Sequence, residues 1–325
     1  MILDFKYVHL KSFGERAMSG KAEDQFEFAK ELWKYRCYFE AFDWYIKASD
    51  QGYADAQLRL GDIYLRGIEQ EEGDYYNYGS RRKEGIKKDY KKAFNLFKKS
   101  AKQGNAEAQN KLGNCYMYGE GVAENKKEAV KWYIKSAKQN YRNAQYNLAV
   151  CYEDGEGVEK NEKKSFEWYL KAAEQGDSDA QFKVGKYYFS GKGTEQDYKN
   201  AEKWFLSVWK SGRDQKMEKD ITIMKFLADR GHEDFQYRLG KYYSGYDEMM
   251  AFHAFRKAAE QGHRDAMFEL AMCYEYGKGV EKNDKEANKW YKESAENYNI
   301  DAQNKCDRKG IKYRRYTIDL NFLAK

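Results

Sequence analysis

Apolar and polar positions along this chain alternate with the period of an α-helix rather than of a strand. Ala129, Trp132, Tyr133, Ser136 and Ala137 fall at i, i+3, i+4, i+7 and i+8, the stripe of a helix with one buried face. After a short turn, Ala144, Leu148, Cys151 and Tyr152 fall at i, i+4, i+7 and i+8 and predict a second amphipathic helix. These are helix A and helix B of one pair. The pair recurs: stretches beginning at Ala93, Ala129 and Ser165 start 36 residues apart, the same step carries Ser165 to Ala201 and Ala251 to Ala287, and an earlier copy begins at Ala41. Asp89, Asn125, Asn161, Asp197, Asp247 and Asn283 each stand four residues before the first position of a helix A. There a side-chain oxygen can accept from the orphan amides of the first turn. Gly-x-Gly pairs at Gly119/Gly121, Gly155/Gly157, Gly191/Gly193 and Gly277/Gly279 end helix B with residues that take positive φ. Each pair exposes an apolar face it cannot cover alone, so neighbours must stack, and the predicted fold is an all-α solenoid.

The repeated signature Ala-x-x-Trp-Tyr-x-Lys-Ala-Ala-x-Gln-Gly-x-x-x-Ala-Gln-x-x-Leu-Gly-x-x-Tyr-x-x-Gly-x-Gly-Val resembles the Sel1-like repeat, a relative of the tetratricopeptide repeat. The resemblance is best over Ala129 to Val158 and Ser165 to Thr194, and in all it extends over residues 20 to 305. It implies a right-handed α/α superhelix of antiparallel helix pairs and a non-catalytic scaffold or adaptor that holds a protein partner. Two other uses are implied by the same family. One is a bacterial immunity protein that neutralises a cognate toxin. The other is a hydrolase of the cysteine-rich branch, against which the absence of paired cysteines counts.

The repeat predicts one solenoid over residues 1–325. A divergent first repeat or cap (1–40) precedes a repeat with an inserted loop (41–92, insertion 68–84) and three regular repeats (93–200). An irregular region (201–250), two further repeats (251–305) and a closing cap or tail (306–325) follow. The insertion is identified by Gly67 and Gly85, which have seventeen residues between them where other pairs have one. Its acidic start, its tyrosines Tyr75, Tyr76 and Tyr78, and its basic end with Arg81 and Arg82 read either as a protruding binding loop or as a tolerated surface insertion. In 201–250, helix A begins at Ala201, a second helix A start falls at Asp220, and helix B resumes at Phe235. Three helices there upset strict alternation, and a kink or change of direction is expected.

Composition narrows the function. Proline is absent, so nothing interrupts the helices, and 30 Tyr and 18 Phe supply large side chains to bury. The net charge of +6 is too small an excess to suggest sequence-independent phosphate binding, and no nucleic-acid partner is expected. Asp4 and Lys6 break any secretory apolar core, and no apolar run approaches the roughly 20 residues of a membrane span. Five cysteines without a CxxC pair suit a reducing, cytoplasmic setting. Cys115, Cys151 and Cys273 share one helix B slot and read as core, with Cys306 also packing. Trp44, Trp132, Trp168, Trp204 and Trp290 stand three residues after a repeat start and read as core as well. Gly61, Gly113, Gly185 and Gly240 sit mid-helix and predict close helix contact, with Gly113→Leu far more damaging than Gly113→Ala.

No cofactor, metal site or catalytic residue is expected. The four histidines are scattered, no nucleophile stands beside a base in a recognisable motif, and the Gly-x-Gly loops follow helices rather than strands. One recurring surface feature remains: Lys47, Lys99, Lys135, Lys171 and Lys257, each six residues after a repeat start. By analogy with tetratricopeptide repeats, helix A lines the concave face. A lysine ladder there could attract an acidic peptide or protein surface, or the lysines could simply be solvated and lie over neighbouring aromatics.

Overall fold

Polar caps and glycine stops cut the chain into helices of nearly equal length. A computed structural model describes residues 2–69, 85–212, 217 and 219–314, with side chains from residue 10 onward. The first half runs α1 (Ile2–Ala17), α2 (Ala22–Lys34), α3 (Tyr38–Asp50), α4 (Ala54–Arg66), α5 (Tyr90–Lys102), α6 (Ala106–Tyr118), α7 (Lys126–Lys138) and α8 (Arg142–Asp154). It continues with α9 (Glu162–Glu174), α10 (Ser178–Ser190) and α11 (Tyr198–Lys210). The remainder is α12 (Ile221–Asp229), α13 (Glu233–Tyr243), α14 (Glu248–Glu260), α15 (Arg264–Tyr276), α16 (Asp284–Glu296) and α17 (Ile300–Lys309). Two compact units divide the chain, Met1–Trp204 and Phe205–Lys325, with the boundary inside α11.

All six predicted caps form. Asp89, Asn125, Asn161, Asp197, Asp247 and Asn283 accept from the backbone amides of Lys92, Glu128, Lys164, Asn200, Met250 and Glu286. A second series starts the B helices: Asn105, Asp177 and Asn299 accept from Ala108, Ala180 and Ala302, and the His263 ring accepts through Nδ1 from Ala266. At the other end, Gly119 takes the left-handed conformation that stops α6. Gly121 does something different. A side chain there would run into the Tyr90 carbonyl, so the loop after helix B is pressed onto the first turn of its own helix A. The second glycines of the other three pairs meet Lys126, Glu162 and Glu248 in the same way.

Stacking is visible in how each core closes. Ala93, Phe94, Phe97, Leu112 and Cys115 of α5 and α6 bury together with Leu58 of α4. The α7–α8 cluster borrows Met117 from α6, the α9–α10 cluster borrows Ala149 from α8, and the α16–α17 cluster borrows Ala271 from α15. A helix pair therefore lacks a complete core until its neighbour is present.

The insertion leaves this register intact. Ile68 and Ile86 exchange two backbone hydrogen bonds of 2.8 and 2.9 Å as a single antiparallel bridge. The Asp89 amide then donates to the Tyr64 carbonyl at 2.8 Å, the bond that Asn125, Asn161, Asp197 and Asn283 make to Tyr116, Tyr152, Tyr188 and Tyr274. The predicted three-helix interval is α11, α12 and α13, but Asp220, expected as the first position of a helix A, is instead the cap of α12, so this helix starts about one turn later than the spacing predicts.

Candidate protein-interaction surface

Much of the side-chain chemistry is spent inside the stack. The turn glutamine after four successive A helices donates to the helix B glutamine of the preceding pair: Gln51 to Gln25, Gln103 to Gln57, Gln139 to Gln109 and Gln175 to Gln145, at 2.6–2.9 Å. The acceptors in turn donate to helix A carbonyls, as Gln57 does to Ser49 and Gln109 to Ala101. These bonds repeat in phase with the sequence, so they hold seams and leave no free chemistry.

The mid-helix glycines are also structural. A methyl at Gly113 would stand 2.5 Å from the Tyr133 ring, and Gly61 and Gly240 face Phe97 and Phe255 as closely. Where Ala149 fills this slot the opposing ring sits otherwise: the Tyr169 hydroxyl reaches Glu153 at 2.7 Å, whereas that of Tyr133 reaches Asn114 at 2.8 Å. Even alanine at Gly113 must therefore displace a ring, so the expected tolerance of Gly113→Ala is narrower than the sequence suggested.

The tryptophans correct a sequence expectation. Trp44, Trp132, Trp168, Trp204 and Trp290 are half-buried rather than core. Position i+3 lies at the edge of the helix A stripe, so the indole wedges against the core of the preceding pair, as Trp132 does against the α5–α6 cluster, and keeps an outer face. That face is where the predicted lysines stand. Lys47, Lys135 and Lys171 hold Nζ over the rings of Trp44, Trp132 and Trp168 at 3.8, 4.0 and 4.3 Å. Lys99 and Lys257 are exposed too, but Leu96 and Ala254 occupy the tryptophan slot beside them. Lys47, Lys99, Lys135 and Lys171 lie on consecutive A helices of the first unit, and Lys257 lies on α14 of the second. Tyr75, Tyr76, Tyr78, Arg81 and Arg82 lie outside the described residues.

Charge is far less even than the ladder implied. Helix α5 carries five lysines and no acid, and α7 carries five lysines against Glu128, a combined +9 where the whole chain has +6. By contrast α3 carries Lys47 against Glu40, Asp43 and Asp50, and α9 balances three lysines with three glutamates. Counting charge helix by helix would have found this concentration in the sequence.

Two cavities lie elsewhere. One of about 520 Å³ in the first unit is lined by Trp33, Tyr45, Arg59, Asp62 and Arg66 among others. One of about 540 Å³ in the second is lined by Trp209, Tyr237, Arg238, Lys241 and His263 among others. Neither gathers a recognisable nucleophile–base pair. All five cysteines are free, and burial pushes the thiols of Cys115 and Cys151 up to about 12 and that of Cys273 to about 11. Among the described residues no group of three or more His, Cys, Asp and Glu is placed to hold a metal ion, and no helix is long and apolar enough to cross a membrane.

The family model described as Sel1 repeat matches residues 38–53, 54–75, 73–105, 106–141, 142–177, 178–207, 234–263 and 264–299. The chain belongs to the Sel1 repeat family. The internal unmatched interval of this Sel1 repeat protein, 208–233, contains α12. Over 93 residues, 28% of its length, the chain is 36% identical to DAP3-binding cell death enhancer 1 of Rattus norvegicus, spanning 18% of that protein. It is similar to the structure of a protective antigen of uropathogenic Escherichia coli displaying an SLR fold, with 30% identity and a TM-score of 0.59 over 90% of this chain and 65% of that one. A Sel1 repeat protein from Oxalobacter formigenes gives 27% identity and a TM-score of 0.51 over 83% and 96%. The chain thus spans less than two thirds of both the rat and the E. coli proteins. The fold class is the all-α solenoid of Sel1-like helix pairs. Sel1 repeat proteins generally mediate protein–protein interaction.

Proposed function

We propose that this chain is a non-catalytic scaffold that binds a protein partner through surface side chains the repeat does not fix. One observation carries the reading: the recurring glutamines, glycines and rings are consumed in seams and cores, while the outer faces of equivalent helices differ from pair to pair in charge. A fixed stack presenting variable faces is what recognition needs and what a single reaction centre does not. Thiols buried and held protonated support the absence of cysteine chemistry. Free cysteines suit a reducing, cytoplasmic compartment. A toxin is one kind of partner such a scaffold could hold, and it is an outcome of the experiment rather than a separate reading.

The test is affinity capture by the full chain in its own cells, followed by reconstitution of the complex from purified components. A captured protein that rebinds with fixed stoichiometry is expected. If nothing captured rebinds in purified form, the scaffold reading fails. If the rebinding protein is a growth-inhibiting toxin silenced in the complex, the adaptor form gives way to the immunity form.

A further inference from the structure

The uneven charge of the A helices says which part of the surface meets the partner. Lys91, Lys99 and Lys102 on α5 and Lys127 and Lys138 on α7 have no carboxylate in ion-pair reach among the described residues, and all five are exposed. Trp132 of α7 packs against the core that α5 and α6 close, so the two helices belong to neighbouring pairs of one compact unit. Elsewhere some lysines are answered, Lys111 by Asp62 at 2.8 Å, Lys183 by Glu153 at 2.7 Å and Lys241 by Glu269 at 2.8 Å, and others share their helix with as many acids, as the three lysines and three glutamates of α9 do. On α5 and α7 Lys92, Lys126 and Lys131 are answered by Asp89, Glu156 and Glu128, but ten lysines against one helical acid leave an excess that the other A helices lack. Crowded like charges raise the energy of the free protein, a cost an anionic partner removes on contact.

From this distribution we infer that the outer face of α5 and α7 is the docking surface for an acidic segment of the partner protein. The inference rests on the scaffold reading above. The chemistry of the face separates a protein acid from nucleic acid. Its cations are all lysines, point charges that attract any anion and lack the planar fork with which arginine reads base edges. The Trp132 ring is covered by Lys135 and is not open as a stacking platform for bases. Carboxylates on a flexible or helical segment ask only for a field of positive charge at the right spacing.

The experiment uses the full chain and three probes at low salt: a fluorescent poly-glutamate peptide, a DNA duplex and phosphatidylserine vesicles. Lys99, Lys102, Lys127 and Lys138 are replaced together by Glu. A control with the same change in net charge reverses Lys163, Lys199, Lys203 and Lys210, which lie on α9 and α11. Peptide affinity is expected to fall about tenfold or more in the first variant and less than about twofold in the control, with helicity unchanged in both. Replacing the same four lysines by Gln adds no acid at a helix C-terminus and guards against a folding defect; it is expected to lose part of the affinity. Equal losses in variant and control, or a variant that releases DNA or vesicles while still holding the peptide, overturn the assignment. Retention of the purified natural partner by the reversed variant also overturns it, and leaves the scaffold reading standing.

Discussion

Four successive seams in the first unit carry the same glutamine pair, whereas residues 205–250 of the second unit lose it. Ser211 and Arg230 stand where turn glutamines recur elsewhere, and the ladder resumes only with Gln261 donating to Gln236 at 2.6 Å. The Gly-x-Gly loop is missing there as well. Helix α13 ends in a tight turn in which the Asp247 amide returns to the Tyr243 carbonyl. Yet the apolar stripe persists: Ile223, Met224, Leu227 and Ala228 of α12 are buried like their counterparts in the regular pairs. Apolar periodicity is thus enough to make and bury a helix. The polar and glycine positions add the constant spacing, and where they lapse the 36-residue step lapses too.

The sharpest way to break that contrast is at the loop glycines. Gly121→Ala forces a methyl onto the Tyr90 carbonyl at a φ of 74° and is expected to cost about 2–4 kcal/mol, as strain and overpacking combine. Gly245→Ala, with open space around it and no positive φ, is expected to stay within about 0.5 kcal/mol. Denaturant midpoints decide it, and equal shifts would erase the distinction. Next in size is Gly113→Ala, expected to cost about 1–3 kcal/mol because the Tyr133 ring must leave Asn114. Gly113→Leu should exceed it, and matching melting temperatures would count against the ring contact.

Acid sharpens the comparison between units. In the second, Glu275 receives Tyr291, Lys305 and Lys309 at 2.6–2.8 Å. Burial alone would raise its pKa, but these three hydrogen bonds outweigh burial and hold the carboxyl at about 2. A carboxylate lowered on folding stabilises above its unfolded pKa of about 4.3, and that contribution disappears as pH falls toward 2. Glu153 of the first unit has only Tyr169 and Lys183, so its own lowering should be felt less. Acid titrations of Glu275→Gln and Glu153→Gln are expected to flatten the acid limb more in the first. The reverse order would refute the three-donor account. Smallest is Gln139→Ala, which removes one seam bond and leaves the Gln109 oxygen short, at about 1 kcal/mol. Ser211→Ala, outside the ladder, should be near neutral in the same melts.

Most of the fold was readable because it repeats. One cap at Asn125 is weak, but six in phase with Ala93, Ala129 and their equivalents amount to a period, and each proved to hold a helix start. The tryptophans were misjudged because an i+3 position sits on the boundary of a helical stripe, and a boundary cannot be placed from spacing alone. His263 as a cap escaped notice since imidazole is not a usual capping group. The charge on α5 and α7 is legible in the sequence as well: a slot compared between repeats, Lys47 to Lys257, does not add up charge along one helix, whereas Lys91, Lys102, Lys127 and Lys138 do make α5 and α7 distinctive.

The clasp between Ile68 and Ile86 has a practical meaning. Because the single bridge is followed by the Asp89 bond to the Tyr64 carbonyl, the chain re-enters the repeat at the same point as in the pairs that carry no insertion. That position is built like a socket: the bridge on its rim, and not the sequence between, is what meets the bonds that keep the array in step.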